Sequence, residues 1–562
     1  CSSDLPLCIA LQTDKDSLKV LILEALGKIG YPQAMPFVQL QIETARQPQV
    51  VTAAQNALRQ IESISGRSAA GMDAAALFYD LAEQYYYDRG SLAADPRADM
   101  ANVWCFRDHA LTPTRVPRDV FNEILAMRCA EQAIQLRSSF DDALALWIAA
   151  NFRREAQLGV IAVDSEAHDD ALDADATHPG DRPRAIYFAR TAGSRFAHMV
   201  LARGVQDRDA AVVLGAVSAL AATAGAANLV GPEDAKQPLV ETLAFPDVLI
   251  RVRAALAMGA ALPAQPFSGG EKVVPVLAEA LMLTGKKQAL VIDADQENRN
   301  RLVGILRDRG FVVAAGDTLV AGLNAAREQL PCTDVIFLAS DIDKPALAQG
   351  LAEIRKDFAF STSPVVILAK SGHTLLAQRI ADADERVAQV IANADADRIL
   401  DAWQSVARTT GRIELTDELA FQLATQAIDV LHQITLTGSK VYDYTKAEAA
   451  LQAVLGGREL SLQTAAARVL AMLKSPQAQT ALASAALNPD NDMQLRLVAF
   501  DALARSARVN GNLLDEGTIN TLIQAVRAAD DLTVRTAASA ALGALNLPAN
   551  HAADLIKAQC AG

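Results

Sequence analysis

Carboxylates that end short apolar runs are the residues of this sequence best equipped for chemistry. Ala289-Leu290-Val291-Ile292 runs into Asp293, followed by Ala294 and Asp295. Asp334 opens a second run, Val335–Leu338, after which come Ala339 and, two residues on, Asp341. Such groups could hold a hard cation such as Mg²⁺, which demands several oxygen ligands around an octahedron. One of them could instead accept a phosphoryl group, since an acyl phosphate needs a carboxylate nucleophile. A second acidic group, Asp164, Glu166, Asp169, Asp170, Asp173 and Asp175, lacks the glycine turn of a calcium loop and reads as a solvated linker. The six cysteines (Cys1, Cys8, Cys105, Cys129, Cys332, Cys560) and seven histidines are scattered, with no CxxC or HExxH spacing to hold a metal.

The elements that must position Asp293 and its neighbours alternate in type. Strands are predicted at 289–292, 311–315, 334–338, 364–368 and 387–391, with helices at 298–309, 318–329 and 396–407. Strands separated by helices imply a parallel sheet covered on both faces. A length of about 120 residues fits one doubly wound domain of flavodoxin-like order.

That pattern resembles the receiver domain of bacterial response regulators, with Asp293-Ala294-Asp295-Gln296-Glu297-Asn298-Arg299 carrying most of the likeness. The resemblance implies an acidic pair after the first strand for Mg²⁺ and an Asp after the third that accepts the phosphoryl group. It also implies a Thr or Ser after the fourth strand and a Lys-Pro after the fifth. In this sequence the pair is Asp293 and Ala294, with Asp295 as a shifted substitute. The acceptor position falls on Ala339, the Thr position on Ala369 and the Lys-Pro position on Asn393-Ala394. Alanine offers no nucleophile, so the expectation is a pseudo-receiver without catalytic residue, metal or cofactor. A slip of two residues would bring Asp341 into play as acceptor.

On either side of this insert the texture is helical. Leu462–Leu470, Leu495–Leu503 and Val534–Leu542 repeat one Ala-rich amphipathic pattern at intervals of about 30 to 40 residues, the range of two-helix repeats. Earlier copies follow Asp16, Asp209 and Asp247, residues suited to cap a helix start. Gly27, Gly225 and Gly259 are expected to end these helices in the left-handed conformation. A single helix pair cannot bury its apolar face, so the units must stack.

These segments resemble HEAT repeats, which implies an armadillo-like α-solenoid. Ala130–Leu136 with Asp142–Trp147 resembles a tetratricopeptide hairpin, although Arg137-Ser138-Ser139 stands where the usual Pro would be. The aromatics Phe78, Tyr79, Tyr85, Tyr86, Tyr87 and Trp104 are expected to pack between helix layers, a peptide groove being the alternative.

The fold class is therefore mainly α, an α-solenoid of HEAT-like repeats with an inserted flavodoxin-like α/β domain. The expected order is HEAT-like repeats over 1–69, a tetratricopeptide-like helical segment over 70–160 and an acidic linker over 161–184. HEAT-like repeats at 185–285, the pseudo-receiver at 286–409 and HEAT-like repeats at 410–562 complete it.

Hydrophobic residues at 51% with aromatics at 5% suit closely packed helices of Ala and Leu. A net charge of −14 without a Lys/Arg run argues against nucleic acid as partner. No apolar run reaches the roughly 18 residues of a membrane span. Cys1 reads either as a point inside a longer chain or as the lipidated first residue of a mature lipoprotein.

Together these features favour a non-enzymatic scaffold or structural subunit of a bacterial multiprotein complex. Its partners would be other proteins, and its place the cell envelope, with the cytoplasm as alternative. The competing functions are a phospho-responsive regulator using Asp341 or Asp295 and an exported lipoprotein that binds a ligand.

Overall fold

A computed structural model describes residues 4–90, 92–160, 165–178, 182–230, 237–384, 386–409, 413–528 and 531–548, with the single positions 553 and 557. The chain forms two compact units, Cys1–Thr223 and Ala224–Gly562, so the repeat block expected at 185–285 is divided between them.

The first unit holds α1 (Asp4–Ala10), α2 (Asp16–Ile29), α3 (Met35–Thr44), α4 (Pro48–Ser65) and α5 (Ala74–Tyr86). After a two-stranded hairpin come α6 (Phe121–Leu136), α7 (Asp141–Gln157), α8 (Ala185–Ala192), α9 (Ser194–Asp207) and α10 (Ala210–Thr223). The hairpin, β1 (Met100–Arg107) against β2 (Ala110–Pro117), interrupts a segment expected to be helical. Its two-residue turn places Asp108 and His109 at positive φ, the conformation that matches the twist of paired strands. Val103 and Val116 are its buried residues, and Arg128 of α6 ties it down by donating to the Trp104 carbonyl at 3.0 Å.

Helix ends and helix contacts separate the glycines. Gly30, at φ 74°, caps α2, whereas Gly27 lies inside the helix, where a Cβ would stand 3.0 Å from the Cα of Ala57. Gly259 likewise lies inside its helix, and a Cβ there would meet Val430 at 2.5 Å. Gly225 is not among the residues of positive φ. Gly27 and Gly259 serve close helix approach rather than capping. Of the aromatic group, Phe78, Tyr85 and Tyr86 are buried and Tyr87 is exposed.

The acidic segment after α7 is only partly solvated. Asp175 is fully buried and accepts from Arg154 at 2.8 Å, and Arg154 also donates to Asn151 at 3.1 Å. Beside them Glu155, equally buried, accepts from Arg184 at 3.1 Å and from the Ala185 amide at 2.7 Å. Two carboxylates and two guanidinium groups thus compensate one another inside the unit.

Glu123 of α6 is buried without such a partner. Gln157 donates to one of its oxygens at 3.0 Å, and the other takes no hydrogen bond. Burial pushes its pKa up to about 8, against the pull of Arg153 and with Asp88 adding to the rise. The folded unit therefore holds this proton more tightly than the unfolded chain does, and stability falls as pH rises from about 4.5 to about 8. Glu123→Gln is expected to flatten that slope and to add about 2 kcal/mol at pH 8. Urea unfolding at pH 5, 6.5 and 8 checks this; equal slopes for both proteins would contradict it.

The second unit opens with α11 (Pro238–Glu241), α12 (Val248–Ala261) and α13 (Val273–Leu281). The sheet follows, with β3 (Gln288–Ile292), α14 (Gln296–Asp308), β4 (Val312–Gly316), α15 (Leu319–Gln329) and β5 (Val335–Ala339). Then come α16 (Leu347–Lys356), β6 (Val365–Ala369), α17 (Thr374–Ala383), β7 (Val387–Ile391) and α18 (Ala396–Thr409). All pairings are parallel and the order is β4-β3-β5-β6-β7, the doubly wound order expected from the sequence.

Alternate residues face opposite sides of a strand, which splits the core in two. Leu290 and Ile292 pack with Leu319 of α15, Leu351 of α16 and Ala377 of α17. Ala289 and Val291 pack with Leu302 and Leu306 of α14 and with Ile399 and Trp403 of α18. Burial on both faces is why β3, β5 and β6 contain almost no polar residue.

The chain leaves and re-joins the helical part at one place. α13 and α12 both pack on α19 (Asp417–Thr437), and the Gly285 amide donates to Asp417 at 2.7 Å across the insert. Beyond it lie α20 (Glu448–Leu455), α21 (Leu460–Leu470), α22 (Pro476–Leu487), α23 (Met493–Asn510), α24 (Glu516–Ala528) and α25 (Leu532–Ala544). The three sequence copies fall on α21, α23 and α25, which pack in succession, while α20, α22 and α24 form a second row. Small residues such as Ala466, Ala499 and Ala538, all buried, allow that approach.

Candidate functional site

Strand ends in a parallel sheet all point one way, so residues that follow β3, β5 and β6 must meet at one edge. Asp293 follows β3 directly and is 1% exposed. Its amide donates to Gly316 at 3.2 Å, which holds the chain in the ladder beyond the strand. Ser340 does the same after β5, donating to the Leu368 carbonyl at 3.0 Å. That extension carries the next residue, Asp341, to the same edge as Asp293.

Between the two carboxylates lies Lys370, the residue after β6. Its ammonium is 2.7 Å from Asp293 Oδ1 and 3.0 Å from Asp341. The Lys370 amide donates to Ser340 Oγ at 2.9 Å, and His373 Nδ1 lies 2.8 Å from the Ser340 carbonyl. Burial disfavours the charged lysine, but its bonds to Asp293 and then Asp341 outweigh that cost and hold its pKa above the ordinary value. The group stays charged at neutral pH.

The remaining expected positions are placed as follows. Ala294 and Asp295 are exposed at the start of α14. Asp295 caps that helix, accepting from the amides of Glu297 at 2.9 Å and Asn298 at 3.3 Å and from Asn298 Nδ2 at 3.0 Å. Both its oxygens are engaged locally. Ala339 and Ala369 end β5 and β6 and are buried, presenting no polar group. Asn393 is exposed after β7, and Arg301 of α14 holds the carbonyls on either side of it, at Ala392 and, at 3.1 Å, Ala394. Arg299 donates to the Asp293 carbonyl at 2.5 Å.

Mg²⁺, which the receiver resemblance implies, does not fit these residues. A cation between Asp293 and Asp341 would share its place with an ammonium already at hydrogen-bond distance from both. The arrangement supplies an internal cation instead.

Lys370, Ser340 and Arg301 are not singled out in the sequence, and Arg299 is there only as the end of the Asp293–Arg299 motif. A lysine directly after the apolar run Val365–Ala369 was the available signal, because every strand of a parallel sheet ends on the same side as Asp293.

No family model matches the chain, and no curated protein matches it. Among solved structures, a response-regulator receiver-domain protein from Clostridium thermocellum is 22% identical, covering 22% of this chain and 96% of its own, with a TM-score of 0.20. An engineered protein is 16% identical over 97% of this chain and 100% of its own, with a TM-score of 0.20. Human deoxyhypusine hydroxylase, in complex with glycerol, is 15% identical over 73% of this chain and 99% of its own, with a TM-score of 0.18. Likenesses of this strength decide neither architecture nor activity.

Proposed function

We propose that this chain is a non-enzymatic scaffold in a bacterial multiprotein complex. HEAT-like repeats bind protein partners, and the α/β insert is a receiver-like domain that carries no phosphoryl group. The observation that supports this most is Lys370 seated between Asp293 and Asp341, with Ala339 where the resemblance puts the acceptor. A site already bridged by its own lysine has one state, so the domain serves as a fixed docking face. The two rows of helices from α20 to α25 support the repeat reading, since stacked units present long surfaces.

A second reading rests on Asp341. Its carboxylate is 39% exposed and stands beside a lysine, so a rearranged phosphoacceptor would look like this. Lys370 would then steady the phosphoryl group rather than replace a metal.

No helix among the described residues is long and apolar enough to cross a membrane. The envelope placement is part of the proposal, and Cys1 lies outside the described residues. Purification of the tagged chain from its native cells, followed by quantitative mass spectrometry, tests the scaffold. Partners at fixed stoichiometry are expected, and recovery of the chain alone would count against it.

A further inference from the structure

The first unit contains a cavity of about 650 Å³ that the scaffold reading leaves unused. About half of its lining residues are apolar. Ile124 and Met127 of α6 and Ile148 of α7 are almost fully buried there, and Trp147 meets Phe188 of α8 edge to face, with ring centroids 4.9 Å apart. The volume lies within the range that encloses small ligands.

The charged groups around it are mostly of one sign. Arg107 at the end of β1, Arg128 of α6 and Arg182 before α8 line the cavity, against the single carboxylate of Glu131. Three arginines around one opening are unexpected in a chain of net charge −14. Glu131 offsets one of the three charges at most, and its carboxylate accepts from Gln135 at 3.4 Å.

Arg128 is fixed in place by two bonds to the hairpin, to the Trp104 carbonyl at 3.0 Å and to Cys105 Sγ at 3.3 Å. A guanidinium has five N–H donors, so others stay free to point inward. Among the described residues, the side chains of Arg107 and Arg182 make no hydrogen bond or ion pair, and both are exposed.

His178 adds a neutral polar group on the same wall. Its Nδ1 is buried without a hydrogen bond, 3.7 Å from Asp175. Burial and then Arg154 push its pKa down to about 4 against the pull of Asp175, with Arg182 and Arg128 adding to the fall. The imidazole, kept uncharged chiefly by burial, adds no charge of its own to the cavity.

We infer that this cavity binds a small amphipathic organic anion, its carboxylate met by Arg107, Arg128 and Arg182 and its aliphatic body laid against Met127, Trp147 and Phe188. The arginines give the charge preference, because bidentate pairing with a carboxylate is what their geometry suits. The apolar walls give affinity by removing the ligand's surface from water. A smaller hollow of about 280 Å³ shares Arg107 and Arg128 with it and adds Trp104.

Decanoate and decanol, which differ in the head group alone, test the site by calorimetry on the full chain. Decanoate is expected to bind saturably and at least tenfold more tightly than decanol, and to weaken as salt is raised from 50 to 300 mM. The double substitution R107Q/R182Q removes two exposed side chains that make no hydrogen bond or ion pair among the described residues, and its thermal melting should match that of the unaltered protein. It is expected to weaken decanoate about tenfold and to leave decanol unchanged. Equal affinity for the two probes, unaltered decanoate binding by the variant, or no saturable binding of decanoate overturns the inference. Binding to anionic phospholipid vesicles with no response to free decanoate also overturns it, since the ligand would then be a membrane surface.

Discussion

Replacing Glu155 with alanine is expected to destabilise the Cys1–Thr223 unit by about 3 to 5 kcal/mol, the cost of leaving a buried charge uncompensated. Glu155 is fully buried, as is Asp175, while Arg154 and Arg184 are 3% and 7% exposed. The four charges balance only as a set. Without Glu155, Arg184 keeps its bond to the Ser165 carbonyl at 3.1 Å but loses its counter-ion, and the Ala185 amide loses its acceptor. The same amide opens α8, so the start of that helix loosens along with the segment before it. Glu155→Gln should cost less, because it preserves an oxygen for the amide. Urea unfolding of both variants at pH 7 checks the order, and a loss below 1 kcal/mol for the alanine variant would show that the network contributes little.

Lys370→Ala is expected to have the second large effect, with an opposite response to metal. Removing the ammonium leaves Asp293, which is 1% exposed, facing Asp341 without a cation between them. Asp341 is exposed enough for solvent to screen its share, so a loss of about 2 kcal/mol is expected rather than the full buried-pair cost. The emptied place then has two carboxylates and room for a hard ion. Mn²⁺ at ten times its Kd should return about 1.4 kcal/mol to the variant, by mass action, and nothing to the unaltered protein. If Mn²⁺ raised the melting temperature of the unaltered protein as much as that of the variant, Lys370 would not be acting as the resident cation.

How far the sequence could be read depended on whether the signal was local. The sheet was legible because its central strands β3, β5 and β6 are apolar runs of about five residues, the pattern that burial on both faces demands. Asp293 was legible because it ends such a run. Its partner Lys370 lies 77 positions away along the chain, and nothing local marks the two as neighbours. Asp341 shows the same limit, since only the extra ladder bond at Ser340 brings it to the edge.

The hairpin at 100–117 escaped notice because few of its residues are buried and Pro113 stands within β2, which weakens a strand reading. In the sequence Asp175 reads as one more exposed acid of its segment. Its burial follows from Arg154, which lies on an inward face of α7 and requires an anion there. Gly27 and Gly259 were misplaced for a related reason. A glycine at a helix contact and a glycine at a helix end look alike until the neighbouring helix is known.

The measurement that bears most directly on the scaffold with an inert insert is intact mass spectrometry of the full chain after incubation with acetyl phosphate and Mg²⁺. No gain of a phosphoryl group is expected, since Ala339 offers no nucleophile and Lys370 holds both Asp293 and Asp341. A stoichiometric gain mapped to Asp341 and abolished by Asp341→Asn would contradict this and make the insert a working phospho-switch.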